Sequence, residues 1–137
     1  MKVTIEQVRT YLREMGWKTS LYDDNDIVMN FKEDDDCPYP ITIFVNLKGE
    51  HSRLQIVAIP TDCTVPASKR AQVMLKINKE NFNYNYVTAT LSEDGGILVY
   101  RRECLDEEVS EAYIRENCLK LPINGAFQYI AELVKEF

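Results

Sequence analysis

The side chains that could carry chemistry here are one histidine, two groups of aspartates, four thiols and two arginine-bearing basic pairs. His51 stands between Glu50 and Ser52 in a stretch that reads as a turn, where an imidazole is normally a solvated surface group and not the centre of a triad. Asp23, Asp24 and Asp26 resemble part of a calcium loop. An EF-hand starting at Asp23, however, would put Ile27 at a ligand position and Val28 where the sharp turn requires glycine. Calcium is therefore rejected at this loop. Asp34, Asp35 and Asp36 could hold a cation weakly, but a run of like charges in a loop is usually a solvated surface.

Cys37, Cys63, Cys104 and Cys118 form no C-x-x-C pair, so neither a zinc site nor a disulfide scaffold is expected, and the thiols should be reduced. Gly95 and Gly96 lie in neither a G-x-G-x-x-G nor a P-loop pattern and read as a turn. Lys69 with Arg70, and Arg101 with Arg102, are small against a net charge of −6. No catalytic, cofactor-binding or metal-binding residue is assigned, and the chain is expected to be neither an enzyme nor a cofactor protein.

A chain of 137 residues, 45% hydrophobic and 28% charged, can bury roughly two thirds of its unfolded surface around one core. One domain over 1–137 is expected. Its acidic balance works against nucleic acid and anionic membranes as partners. No run of about 18 apolar residues is present to span a bilayer, and MKVTIEQVRTYLREM carries charges where a signal peptide is apolar. A cytoplasmic location follows as the expectation.

Positioning elements can be read from period and punctuation. Thr4 with Gln7 makes a capping box, Ile5, Val8, Leu12 and Met15 recur at helical spacing, and Gly16 supplies the stop. Trp17 to Tyr22 and Ile27 to Lys32 read as a hairpin around Asp23, Asp24, Asn25 and Asp26. Glu33 to Pro40 reads as a loop. Ile41 to Leu47 and Leu54 to Ile59 follow as strands joined by Lys48, Gly49 and Glu50, completing a four-strand antiparallel meander.

Pro66 suits the first residue of a second helix running to about Asn81. Tyr84 to Leu91 and Ile97 to Cys104 flank Glu93, Asp94, Gly95 and Gly96 as a second hairpin. Asp106, Glu107 and Glu108 favour a helix N-terminus, and Pro122 should divide the C-terminal helical region. Ile123, Ala126, Phe127, Ile130, Val134 and Phe137 share the last helix's apolar face. The order helix, four-strand meander, helix, hairpin, C-terminal helices is α+β.

Two surfaces exceed what a single core requires. On the second helix Ala71, Val73, Met74, Leu75 and Ile77 span an arc of about 200°, wider than one buried face needs. Lys69, Gln72, Lys76, Lys79 and Glu80 form the polar arc opposite. The wide arc calls for a second contact, either the chain's own C-terminal helix or another subunit. On the sheet, Val28, Phe44, Val57 and Ile59 face away from Ile41, Ile43, Val45 and Ile56. With helices on one side only, these residues form an apolar patch of the kind that marks partner surfaces. Val28, Phe44, Val57, Ile59, Val73 and Ile77 are the candidate partner-binding residues.

Pro66, Lys69, Arg70, Val73 and Asn78 on the second helix, Gly16-Trp17, Leu54-Gln55-Ile56, and Asp94-Gly95-Gly96 leading into Val99-Tyr100-Arg101 resemble the YbjN family over nearly the whole chain. Tyr84, Tyr86 and Pro122 depart from its pattern. The resemblance implies a proposed bacterial sensory transduction regulator with a fold similar to the type III secretion chaperones, which are small acidic proteins, often dimeric, that bind other proteins. Two expectations follow: a protein-binding module, chaperone-like or regulatory, pairing with a protein or with its own copy; and, alternatively, a small-ligand sensor or minor enzyme with a pocket between helices and sheet lined by Trp17, Tyr100 and Arg101.

Overall fold

The Thr4 hydroxyl accepts from the Gln7 N–H at 3.2 Å, and the Gln7 side chain accepts from the Thr4 N–H at 2.9 Å. Two of the donors that a helix start leaves unpaired are thereby satisfied, and α1 runs from Ile5 to Glu14. Gly16, at φ +93°, ends it. Its N–H reaches the Arg13 carbonyl while that of Trp17 reaches Leu12, the paired bonds of a Schellman end. The computed structural model describes residues 3–49, 53–106 and 108–137. His51, with Glu50 of the expected turn and Glu107 of the acidic run, lies outside them.

Strands β1 (Ser20–Asp23), β2 (Asp26–Phe31), β3 (Ile41–Lys48) and β4 (Arg53–Pro60) form the antiparallel meander. The hairpin of β5 (Thr88–Leu91) and β6 (Ile97–Cys104) joins it through β6, giving the order β1-β2-β3-β4-β6-β5. The helical layer covers the face that carries Ile27, Met29, Ile43, Val45, Ile56, Ala58 and Val99, all essentially inaccessible. It consists of α1, a 3-10 turn (Ala67–Lys69), α2 (Arg70–Asn83), α3 (Glu111–Tyr113), a π-helical turn (Ile114–Lys120) and α4 (Leu121–Val134). The architecture is α+β.

Three elements depart from the expectation. The fifth strand begins at Thr88, not Tyr84: Tyr84 instead stacks on Tyr129, ring centroids 4.3 Å apart, and Val87 is buried in the core, so this segment turns from the ladder toward the helices. The acidic run does not start a helix. Asp106 accepts the Glu108 N–H at 3.0 Å in a local turn, and Ser110 is the true cap, accepting from Tyr113 at 3.1 Å. Pro122 does not break the rod. The π-helical turn immediately before it, in which the Leu121 N–H bonds Glu116 five residues back, widens the helix where a proline ring would otherwise meet the preceding carbonyl.

Two polar nodes tie the layers together. Arg70, half of a basic pair, is a structural clamp: its guanidinium donates to the carbonyls of Val65, Glu93 and Asp94 at 3.0–3.1 Å. It holds the second hairpin turn against α2. Gly95 must be glycine there, since a Cβ would lie 2.6 Å from the Val65 oxygen at φ +93°. In the second node the Asn81 carboxamide pairs with both backbone groups of Ala89, accepting its N–H at 2.8 Å and donating to its carbonyl at 3.2 Å. The buried Tyr129 hydroxyl donates to the same Asn81 oxygen at 2.7 Å. Asn81 thus acts as a surrogate strand along the outer edge of β5.

Beyond β5, Glu103 binds β6 to the C-terminal helices. It pairs with Arg101 at 2.9 Å and accepts from the Tyr113 hydroxyl at 2.6 Å and the Cys118 thiol at 3.3 Å. Burial acts to raise the Glu103 pKa, but the bonds from Tyr113, Arg101 and Cys118 outweigh it, and the carboxyl titrates below its ordinary 4.5. Burial first, then the Glu103 contact, pushes the Cys118 thiol up to about 12. That thiol is therefore a hydrogen-bond donor and not a nucleophile.

The Asn81 and Glu103 contacts can be tested by unfolding. Asn81→Ala should lower stability by about 2–4 kcal/mol, because it strands the N–H and the carbonyl of buried Ala89, while the Tyr129 hydroxyl keeps the Ile77 carbonyl at 3.1 Å. Tyr129→Phe, which leaves Asn81 bonded to Ala89, should cost about 1 kcal/mol. Equal losses in urea denaturation would remove Asn81 from its central position. A carboxyl with a depressed folded pKa contributes its full stability above the unfolded value and loses it as pH falls through the folded one. Tyr113→Phe should accordingly melt below the parent chain at pH 7, and the difference should close as pH drops below 4.5. A gap that persists under acid would mean that Glu103 is not the linked group.

Candidate functional site

The face of the sheet turned away from the helices carries a row of side chains in direct register. Val28 pairs with Phe44, Phe44 with Val57, and Val57 with Tyr100. All four are half-buried, and so is Ile59, one step along β4 and opposite Thr42. Cross-strand neighbours in such a row lie about 4.5–5.5 Å apart and shield one another from water.

Polar residues border the row on both sides. On one side Thr42 donates to Asn30 at 3.0 Å. On the other, Arg102 donates to Gln55 at 3.0 Å, and its guanidinium carbon lies 5.6 Å from the Tyr100 ring centroid. The result is an apolar band across four strands with hydrogen-bonding rims. Alternation in β2, β3 and β4 made Val28, Phe44, Val57 and Ile59 legible from sequence. Tyr100 extends the row by register alone, which sequence reasoning missed.

Val73 and Ile77 correct the expectation for α2. They are 0% and 2% exposed, part of the core under the helix and unavailable to a partner. The second contact of α2 is with α4, but through the polar arc: Lys76 pairs with Glu136 at 2.9 Å and with Glu132 at 3.6 Å, and Gln72 donates to Glu136 at 2.6 Å. The apolar flank lies outside both contacts, with Leu75 71% and Phe82 91% exposed.

The pocket expected from Trp17, Tyr100 and Arg101 does not form. Tyr100 and Arg101 are adjacent in β6 and therefore point to opposite faces: Tyr100 pairs with Val57 on the open face, Arg101 with Ile56 on the helical one. Trp17 packs against the core after α1. A cavity of about 560 Å³ does lie between the 34–37 loop and α4, lined by Asp34, Asp36, Tyr84, Phe127, Glu132 and Lys135 among others. The Asp34 carboxylate is occupied by the backbone N–H groups of Asp36 and Cys37, each at 2.9 Å. Among the described residues no group of three His, Cys, Asp or Glu side chains is placed to hold a metal ion, and no helix is long and apolar enough to cross a membrane.

With this geometry established, comparison with known proteins locates the chain. The crystal structure of YbjN from E. coli, described as "a putative transcription regulator", superposes with a TM-score of 0.67 at 12% identity, covering 97% of this chain and 93% of that one. A chain of the heterodimeric ExoU-SpcU complex from the type III secretion system of Pseudomonas aeruginosa superposes with a TM-score of 0.56 at 14% identity, covering 93% and 95%. At these identities the likeness is one of fold. No curated protein matches by sequence. The profile of the YbjN family, described as "Putative bacterial sensory transduction regulator", matches residues 4–118, and over that span the chain belongs to the YbjN family.

Proposed function

We propose that the chain is a non-catalytic protein-binding module, chaperone-like or regulatory, that works as one domain over 1–137 with the open sheet face as its recognition surface. The observation that carries this reading is the in-register row Val28, Phe44, Val57 and Tyr100, left uncovered by a helical layer that lies wholly on the other face. The fold shared with a chain of a heterodimeric complex and the family's description as a regulator support a protein as the partner, either another chain or a second copy of this one. Unpaired Cys37, Cys63 and Cys118, all buried, suit a reducing compartment such as the cytoplasm.

Phe44→Asp with Val57→Asp places two charges in the middle of the row without touching the core. The double variant should keep the parent's circular dichroism and lose association, read as mass by light scattering behind size exclusion and as recovery of defined partners in a quantitative pull-down. Leu75→Asp with Phe82→Asp on α2 serves as the surface control. A folded Phe44/Val57 variant with unchanged mass and unchanged partners would sink the sheet-face reading and turn attention to a small ligand in the cavity beside α4.

A further inference from the structure

The open face of the sheet differs in charge from the chain as a whole. Strand alternation and register place Lys48, Arg53 and Arg102 on it, with Asp23 and Asp26 as the only carboxylates among its described strand residues. Those two aspartates sit together at the β1–β2 corner, where Asp23 accepts the Asn25 N–H at 2.8 Å and Lys48 is the neighbouring cation. On β4 and β6, the same end of the face carries Arg53 and Arg102 and no carboxylate.

Arg102 reaches across this face toward β4. Its Nε donates to Gln55 at 3.0 Å, and its guanidinium carbon lies 5.6 Å from the Tyr100 ring centroid. Arg53 precedes Gln55 by two residues on the same strand and pairs with Cys104, so the two arginines are diagonal neighbours. Both are exposed, and neither enters an ion pair among the described residues. At the other side of the row, Leu98, set on this face by its pairing with Thr90, joins Ile59. The band is thus apolar along its length and cationic at one end.

We infer that the open face seats an amphipathic helix of a partner protein, one whose apolar stripe is flanked by carboxylates that meet Arg53 and Arg102. This rests on the sheet-face reading above and names the partner's chemistry. The backbones of β2, β3, β4 and β6 are already paired with one another across the row. An extended visitor would find no ladder partner there and would lay its own N–H and C=O groups on apolar side chains. A helix satisfies its backbone internally, and its diameter of about 10 Å suits a row that spans three strand spacings, about 14 Å. It would cover this side of the sheet as the chain's own helices cover the other. The row supplies the contact area. On a chain of net charge −6 most other surfaces oppose an acidic helix, so the arginines act at contact distance to fix which way round it lies.

The probe is a displayed library of helical peptides with varied apolar residues along one stripe and Glu, Gln or Lys at the flanking positions, selected on the full chain. The Phe44→Asp/Val57→Asp chain is the counter-target. Enriched peptides should carry Glu beside the stripe, gain helix on binding, and weaken at least about tenfold when those Glu become Lys, the scale of one charge-assisted hydrogen bond. Arg53→Glu with Arg102→Glu, both at exposed positions, should reverse the preference, and Arg53→Gln with Arg102→Gln should erase it. Binders that need Phe44 and Val57 but show no charge preference, or gain no helix, would overturn the acidic helix and leave the sheet face standing. Binders indifferent to the counter-target, or no enrichment at all, would overturn both. A dimer that Phe44→Asp/Val57→Asp dissolves and the selected peptides cannot displace would give the face to a second copy and overturn the inference.

Discussion

The structure depends on a single geometric constraint: a six-stranded antiparallel sheet has two faces, and this chain supplies helices for only one. Everything on the covered side is closed. Ile27, Val45 and Ile56 meet across three strands, α4 packs over β4 and β6 and α2 over β5, and the Asn81 carboxamide finishes the edge of β5. The energetic weight of the fold rests there, where apolar burial is complete. What remains, the opposite face, is formed by the same strands at alternate positions, and its residues can vary in polarity without disturbing the core.

That division explains what sequence reading could reach. Period-two alternation in β2, β3 and β4 is a local signal, and it assigned Phe44 and Val57 to the opposite face from Ile43 and Ile56 correctly. The capping box at Thr4 and the glycine stop at Gly16 are equally local and equally legible. Tertiary competition was not. Tyr84 and Val87 have strand character, yet burial against Tyr129 and the helices outweighs two or three further ladder bonds. Nothing near Tyr84 in the sequence announces Tyr129.

The surprises on α2 and at Pro122 have the same origin. A helix with an apolar arc of about 200° called for a second contact, with the C-terminal helix or another subunit. Within the chain that contact is polar, Lys76 and Gln72 meeting Glu132 of α4 and Glu136 just beyond it, and it is fixed by residues some 60 positions away. At Pro122 the local rule, that proline ends or kinks a helix, assumes α spacing. The π turn alters that spacing just before the proline, so the helical segment passes through without a break.

The distribution of cations gives the acidic surface its character. Arg70 is bound to three carbonyls, Arg115 to Glu14 and Glu111, Lys76 to Glu132 and Glu136, and Lys135 to Glu132. These side chains serve the fold's own contacts and offer little positive field outward. Arg102 differs: it lies beside the apolar row at Tyr100 and, among the described residues, is bonded only to a neutral glutamine. An apolar row gives no long-range attraction and acts only on close approach, so a face of this kind rewards shape and contact over charge.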